Sequence, residues 1–176
     1  MKSERPQIRL ALDLDGVVCD FAGGLFRSVG IPEGRLQEVT GYDFKPVLDF
    51  REAWNRVKDD EIFWLTLPVL DSYIPKCCEV FLSSRYCRRA VTEEWLHNAG
   101  LDRIPLIQVR SPEEKMAVLR RGPLNGIVED RGETFELARK EFPSSFLVSR
   151  PWNRWVGTRN RIYRLEELDW RYPQEE

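Results

Sequence analysis

The chain has 176 residues, 42% of them apolar and 11% aromatic, enough for one domain with a buried core and a modest insertion. Its 27 basic and 29 acidic residues leave a net charge of −2, which excludes a polybasic surface for nucleic acid or membrane across the whole molecule. No apolar stretch approaches the ~20 residues that cross a bilayer, and the opening MKSERPQ has no signal-peptide pattern.

In chain order, the first expected strand covers 8–12, a short apolar run broken by Arg9. It leads into "DLDGVVCDFAGG", where Asp13 and Asp15 leave the strand together, Gly16 lets the backbone turn sharply, and Asp20 reads as a cap. Alternation along an extended chain puts Asp13 and Asp15 on one side. The region from about 30 to 75 loses the strand–helix rhythm. It holds Phe63, Trp64 and a helical pattern over 46–58 with Val47, Phe50, Trp54 and Val57 apolar. The second strand is expected over 79–82, ending at Ser83-Ser84, and a helix over 87–99 follows with Ala90, Val91, Trp95 and Leu96 on one face. A third strand covers 105–109. "SPEEK" then opens a helix over 113–121, with Ser111 as cap, Pro112 in the first turn and Glu114 three residues after the serine. Gly100 and Gly122 close the helices before them. The fourth strand, 126–128, ends at Glu129-Asp130; a helix over 132–141 and a fifth strand over 145–149 complete the pattern.

Strands alternating with helices predict an α/β fold, a Rossmann-like core with a central parallel sheet flanked by helices. A small helical cap is inserted between the first and second core strands. The expected division is 1–20 and 76–176 for the core and 21–75 for the cap. Ligands bind such sheets beyond the carboxyl ends of the strands, and Asp13, Asp15, Ser83, Glu129 and Asp130 all fall there, with Lys115 brought towards the same edge. Carboxylates clustered in this way need a cation. An all-oxygen set suits Mg²⁺, with Asp13, Asp130 and the backbone carbonyl of Asp15 as ligands. A carboxylate about 4 Å from one unit of phosphate charge is repelled by roughly 4 kcal/mol at an effective dielectric of about 20. A metal, Lys115 and backbone N–H groups would offset that repulsion.

"DLDGVVCDF", Ser83, Lys115 and "VED", in that order, resemble the four motifs of the haloacid dehalogenase (HAD) superfamily of aspartate-nucleophile phosphatases, and they cover nearly the whole chain. "DLDGVVCDFAGGLF", "IFWLTLPVL", "VRSPEEKMAVL" and "RPWN" are similar to the 5'(3')-deoxyribonucleotidase branch, and Arg85-Tyr86 after Ser83-Ser84 to its bacterial nucleotidase-like members. The resemblance implies that Asp13 attacks phosphorus and that Asp15 protonates the leaving oxygen and then activates water. Ser83 would bond the phosphoryl oxygens, and Lys115 would neutralise their charge. Asp130 would hold Mg²⁺ together with Asp13 and Asp15, with Glu129 bonding the metal directly or one ligand removed. Ser84 and Arg85 are expected to contact substrate. The branch usually has threonine where this chain has Ser83, and Pro-x-Gly-Ala where it has Pro68-Val69-Leu70-Asp71, so substrate identity stays open.

Phe21, Phe63 and Trp64 read either as a stacking platform for a nucleobase or as the cap's own core with Trp54. "RPWNRWVGTRNR", 150–161, reads as a packed loop, a guide for a small anion or a strand-binding surface. His97 reads as a surface or packed residue. The expected partner is a small phosphomonoester, a nucleoside monophosphate in the closer resemblance. A phosphate-ended polynucleotide, a sugar phosphate or other small metabolite, and a non-enzymatic nucleotide-binding module are the alternatives, a homodimer is open, and no membrane is expected. The four cysteines (Cys19, Cys77, Cys78, Cys87) lack C-x-x-C spacing and read as reduced thiols of a cytoplasmic protein.

Overall fold

A computed structural model describes residues 7–172. Six parallel strands form one sheet in the order β3-β2-β1-β4-β5-β6: β1 (Leu10–Leu12), β2 (Cys78–Ser83), β3 (Leu106–Gln108), β4 (Gly126–Glu129), β5 (Phe146–Val148) and β6 (Arg161–Ile162). This is the doubly wound order, in which the chain runs outward from β1 to β3 and then crosses back to β4 on the other side of β1. Leu10, Ala11 and Leu12 pair with Gly126, Ile127 and Val128 in β4. The crevice where strand order reverses therefore opens above β1 and β4.

Alternation along the strands divides the interior in two. Leu10, Leu12, Phe81 and Val128 join one cluster with Leu25 and Phe26 of α1 (Phe21–Ser28) and Val91 and Trp95 of α4 (Arg89–Asn98). Ala11, Val80, Leu82 and Ile127 face the other way, onto Met116 and Leu119 of α5 (Pro112–Arg121) and Ala138 of α6 (Gly132–Ala138). With both faces covered, a strand needs apolar residues throughout, which is why β1 and β4 read as continuous apolar runs.

The insertion between β1 and β2 contains α1, a 3₁₀ turn, α2 (Phe50–Val57) and α3 (Glu61–Leu65). Asp20 caps α1 by accepting from the Gly23 N–H at 3.0 Å. Ser111 caps α5 as expected, accepting from the Glu114 N–H at 3.2 Å. Phe26, Phe44, Trp64 and Leu67 belong to the same buried cluster as Leu12 and Phe81, so insertion and core share one apolar interior.

Several expectations are corrected. β1 stops at Leu12, so alternation does not reach Asp13 and Asp15. The cap helix starts at Phe50, where Asp49 supplies the N-cap, and not at Pro46. Gly122 closes α5 in an extended conformation, whereas Gly100 takes the left-handed one expected, at φ +70°. β6 was not anticipated, because it has only two residues and lies inside the arginine-rich 150–161 segment.

Candidate active site

Beyond Leu12 the β1–β4 ladder continues for one bond, from the Asp13 N–H to the Val128 carbonyl at 3.0 Å. That bond fixes the nucleophile candidate beside the end of β4. Lys115, fully buried in the first half of α5, lies 2.9 Å from Asp13 Oδ1 and 2.6 Å from Glu129 Oε1. Asp13, Glu129 and Asp130 each offer a carboxylate oxygen, and these atoms all lie within 4.8 Å of one another. Two of the three buried acids thus share one lysine.

Burial raises all three carboxyl groups above their ordinary range, and for Glu129 and Asp130 the charge of neighbouring acids adds to the effect. For Asp13, desolvation dominates over the opposing pull of Lys115. Glu129 is pushed to about 7 by burial and then by the charge of Asp13. Asp130 is raised well above its usual value by burial and by Asp13 and Glu129. Lys115 is raised because the two carboxylates outweigh the cost of burying it.

The valences left over show what the cluster lacks. Glu129 Oε2 and Asp130 Oδ1 are buried without a hydrogen-bond partner, and Asp13 Oδ1 is close to Lys115 but without hydrogen-bond geometry. Buried acceptors are normally satisfied. A hard divalent cation ligated by oxygen fits all three atoms and the excess negative charge, so the residues present suit the Mg²⁺ expected from the sequence. The Asp15 carboxylate is not part of this cluster.

Gly16 is required where it stands. Its φ is +80°, and a Cβ there would lie 2.0 Å from Asp130 Oδ2. Its carbonyl accepts from Arg150 Nε at 2.7 Å. The rest of "RPWN" holds Asp130 itself: Trp152 Nε1 donates to Asp130 Oδ2 at 3.0 Å, and Asn153 Nδ2 donates to the Asp130 carbonyl at 2.6 Å. Arg161 then donates to Asn153 Oδ1 at 2.7 Å. Of the three readings open for 150–161, these contacts favour the packed loop, which buttresses the acidic cluster. No composition signal separates that role from anion binding, because both use arginine and tryptophan.

Ser83 ends β2, fully buried, with its Oγ accepting from the Arg85 N–H at 3.1 Å; Ser84 is exposed. Arg85, expected to face substrate, is instead buried and paired with Asp15 at 2.6 Å. Asp13 and Asp15 therefore take different cations. Phe21 stacks on Trp64 at 5.7 Å and meets Phe63 and Trp54 edge-on at 6.1 and 6.4 Å. Phe21, Phe63 and Trp64 are buried, which favours the cap's core over the base platform. Tyr86 is exposed, its ring 5.2 Å from Trp54.

Tyr42 escaped sequence reading altogether. The Arg131 guanidinium lies 4.9 Å from its ring centroid. Its hydroxyl is raised by burial and by the charges of Asp130, Asp15 and Asp13. His97 is an exposed partner of Asp102.

No family model matches the chain. No curated protein matches it either. Among solved structures, a HAD-superfamily hydrolase of subfamily IA, variant 1, from Geobacter sulfurreducens PCA superposes with a TM-score of 0.53 at 15% identity, over 97% of this chain and 99% of that one. A haloacid dehalogenase-like family hydrolase from Streptococcus pneumoniae gives 0.54 at 12% identity, over 97% and 100%. At those identities the likeness establishes the architecture: this chain has the doubly wound α/β fold of those HAD-superfamily hydrolases.

Proposed function

We propose that the chain is a HAD-type, divalent-metal-dependent phosphomonoester hydrolase acting on nucleoside monophosphates. The observation that carries this reading is the convergence of Asp13, Lys115, Glu129 and Asp130 at the switch point between β1 and β4, with carboxylate oxygens left unpartnered. A bound Mg²⁺ supplies positive charge at the phosphoryl oxygens.

The protein's own groups do the rest. An Asp13 oxygen forms a bond to phosphorus as the bond from phosphorus to the ester oxygen breaks, and Lys115 offsets the charge that gathers there. Asp15 gives its proton to the departing alcohol. Water then attacks phosphorus, the bond to Asp13 breaks, and Asp15 takes the proton from the water. Glu129 keeps Lys115 beside Asp13 through its 2.6 Å bond.

The nucleotide preference rests on the sequence resemblance. Exposed Tyr86, next in sequence to Arg85 and adjacent to Trp54, is the ring best placed to stack on a base. Four free cysteines fit an intracellular setting, and among the described residues no helix is long and apolar enough to cross a membrane.

The test is phosphate release from 5'- and 3'-mononucleotides, sugar phosphates, p-nitrophenyl phosphate and a 3'-phosphorylated oligonucleotide, with Mg²⁺ or with EDTA. Mg²⁺-dependent release with mononucleotides fastest is expected. A folded chain inert towards every ester overturns the phosphatase reading, and faster release from the oligonucleotide overturns the mononucleotide preference.

A further inference from the structure

We propose that Arg85 is a positioning residue for Asp15, holding its Oδ1 so that Oδ2 is the atom that hands the proton to the leaving group. This rests on the phosphatase reading above and assigns within it a role that the sequence did not suggest.

The guanidinium grips one oxygen more tightly than the other. Arg85 Nη2 donates to Asp15 Oδ1 at 2.6 Å and Nε donates to the same atom at 3.1 Å, while Oδ2 accepts a single longer bond from Nε at 3.3 Å. The Arg85 side chain is 0% exposed and that of Asp15 14% exposed, so a substrate can reach the carboxylate and not the cation behind it. An arginine that bound phosphate would show the opposite order of access.

The surroundings allow the fork little freedom. The guanidinium carbon lies 4.9 Å from the Trp95 ring centroid and 5.7 Å from that of Trp64. Both rings are tied down, Trp95 Nε1 to the Leu67 carbonyl at 2.8 Å and Trp64 Nε1 to the Lys58 carbonyl at 3.1 Å. The Arg85 backbone is held as well, its N–H by Ser83 Oγ at 3.1 Å and its carbonyl by Gln108 Nε2 at 2.8 Å. A planar fork set between two rings on a doubly anchored backbone sets the plane of the carboxylate it grips, which a lysine ammonium cannot do.

The consequence is a dependence on leaving group. Proton donation matters most when the departing oxygen is a strongly basic alkoxide and least when it is an acidic phenolate. If Arg85 acts through Asp15, its loss will be felt on alkyl phosphates and largely spared on aryl phosphates. A purely structural role would lower both in proportion.

The experiment measures kcat and KM of the full chain with Mg²⁺ on β-glycerophosphate and p-nitrophenyl phosphate for wild type, Arg85→Lys, Arg85→Gln, Asp15→Asn and the Asp15→Asn/Arg85→Lys double variant. Arg85→Lys keeps the charge and carries the test if Arg85→Gln fails to fold. Both Arg85 variants are expected to lose about tenfold or more in kcat on β-glycerophosphate beyond any loss on the aryl ester. KM should be little changed, and Arg85→Lys should add nothing in the Asp15→Asn background. An active wild type with equal losses on both esters, or additive losses in the double variant, overturns this inference alone. A wild type inert on both overturns the phosphatase reading and the inference with it.

Discussion

The tips of β1 and β4 and the aromatic interior of the insertion are both buried, and both are built from residues a sequence reader would mark as functional. They differ in what is left unsatisfied. Around Asp13, three carboxylates cluster, two of them on one lysine, and oxygens remain without partners. Around Phe21, rings meet rings at 5.7 to 6.4 Å, and the Trp64 indole N–H has its carbonyl. Burial with every group satisfied is what packing produces on its own. Burial with valence to spare costs stability and persists where a ligand will offset it.

The sharpest way to break that contrast is Asp13→Asn, which keeps the shape and removes the proposed nucleophile. Phosphate release should fall about a thousandfold or more with no loss of melting temperature; undiminished turnover would move the chemistry elsewhere. On the aromatic side the expected pattern is reversed. Phe63→Ala should cost about 3–5 kcal/mol in chemical denaturation, with the ratio of mononucleotide to p-nitrophenyl phosphate turnover unchanged. A shifted ratio at nearly intact stability would return the ring to the substrate.

The smallest effect separates the two regions by pH. Glu129 is raised from 4.5 to about 7, and Asp13 and Asp130 are raised as well, so the folded protein holds protons that the unfolded chain releases. In EDTA, this contribution is fully present below about pH 4.5 and is lost as pH rises through about 7. The melting temperature should follow it down, and Mg²⁺ should restore part of the loss above about pH 7. A melt indifferent to Mg²⁺ there would remove the metal from the cluster.

Sequence made the sheet and the acidic cluster legible because both obey short-range rules. Apolar runs end in acids at 13 and at 129–130, and "SPEEK" carries its own helix start. The partners were hidden because they depend on long-range packing. Arg85 looks like a phosphate ligand until β2 and the chain after β1 bring it against Asp15, and only the assembled sheet shows that Trp152 and Asn153 serve Asp130. β6 escaped for a different reason. Arg161 is held by its guanidinium bonds to Asn153 and to the Val156 carbonyl, not by an apolar pattern.

The strand order has a consequence for synthesis. Of the described strands, the first to leave the ribosome ends up third in the sheet, flanked by β2 and β4. Its two hydrogen-bonding edges wait for neighbours made much later, one after the whole insertion and one after α5. A nascent chain therefore carries an open β1 edge and an unaccompanied Asp13 until residues up to Asp130 have emerged and docked, so the acidic cluster and the full pairing of β1 arrive together.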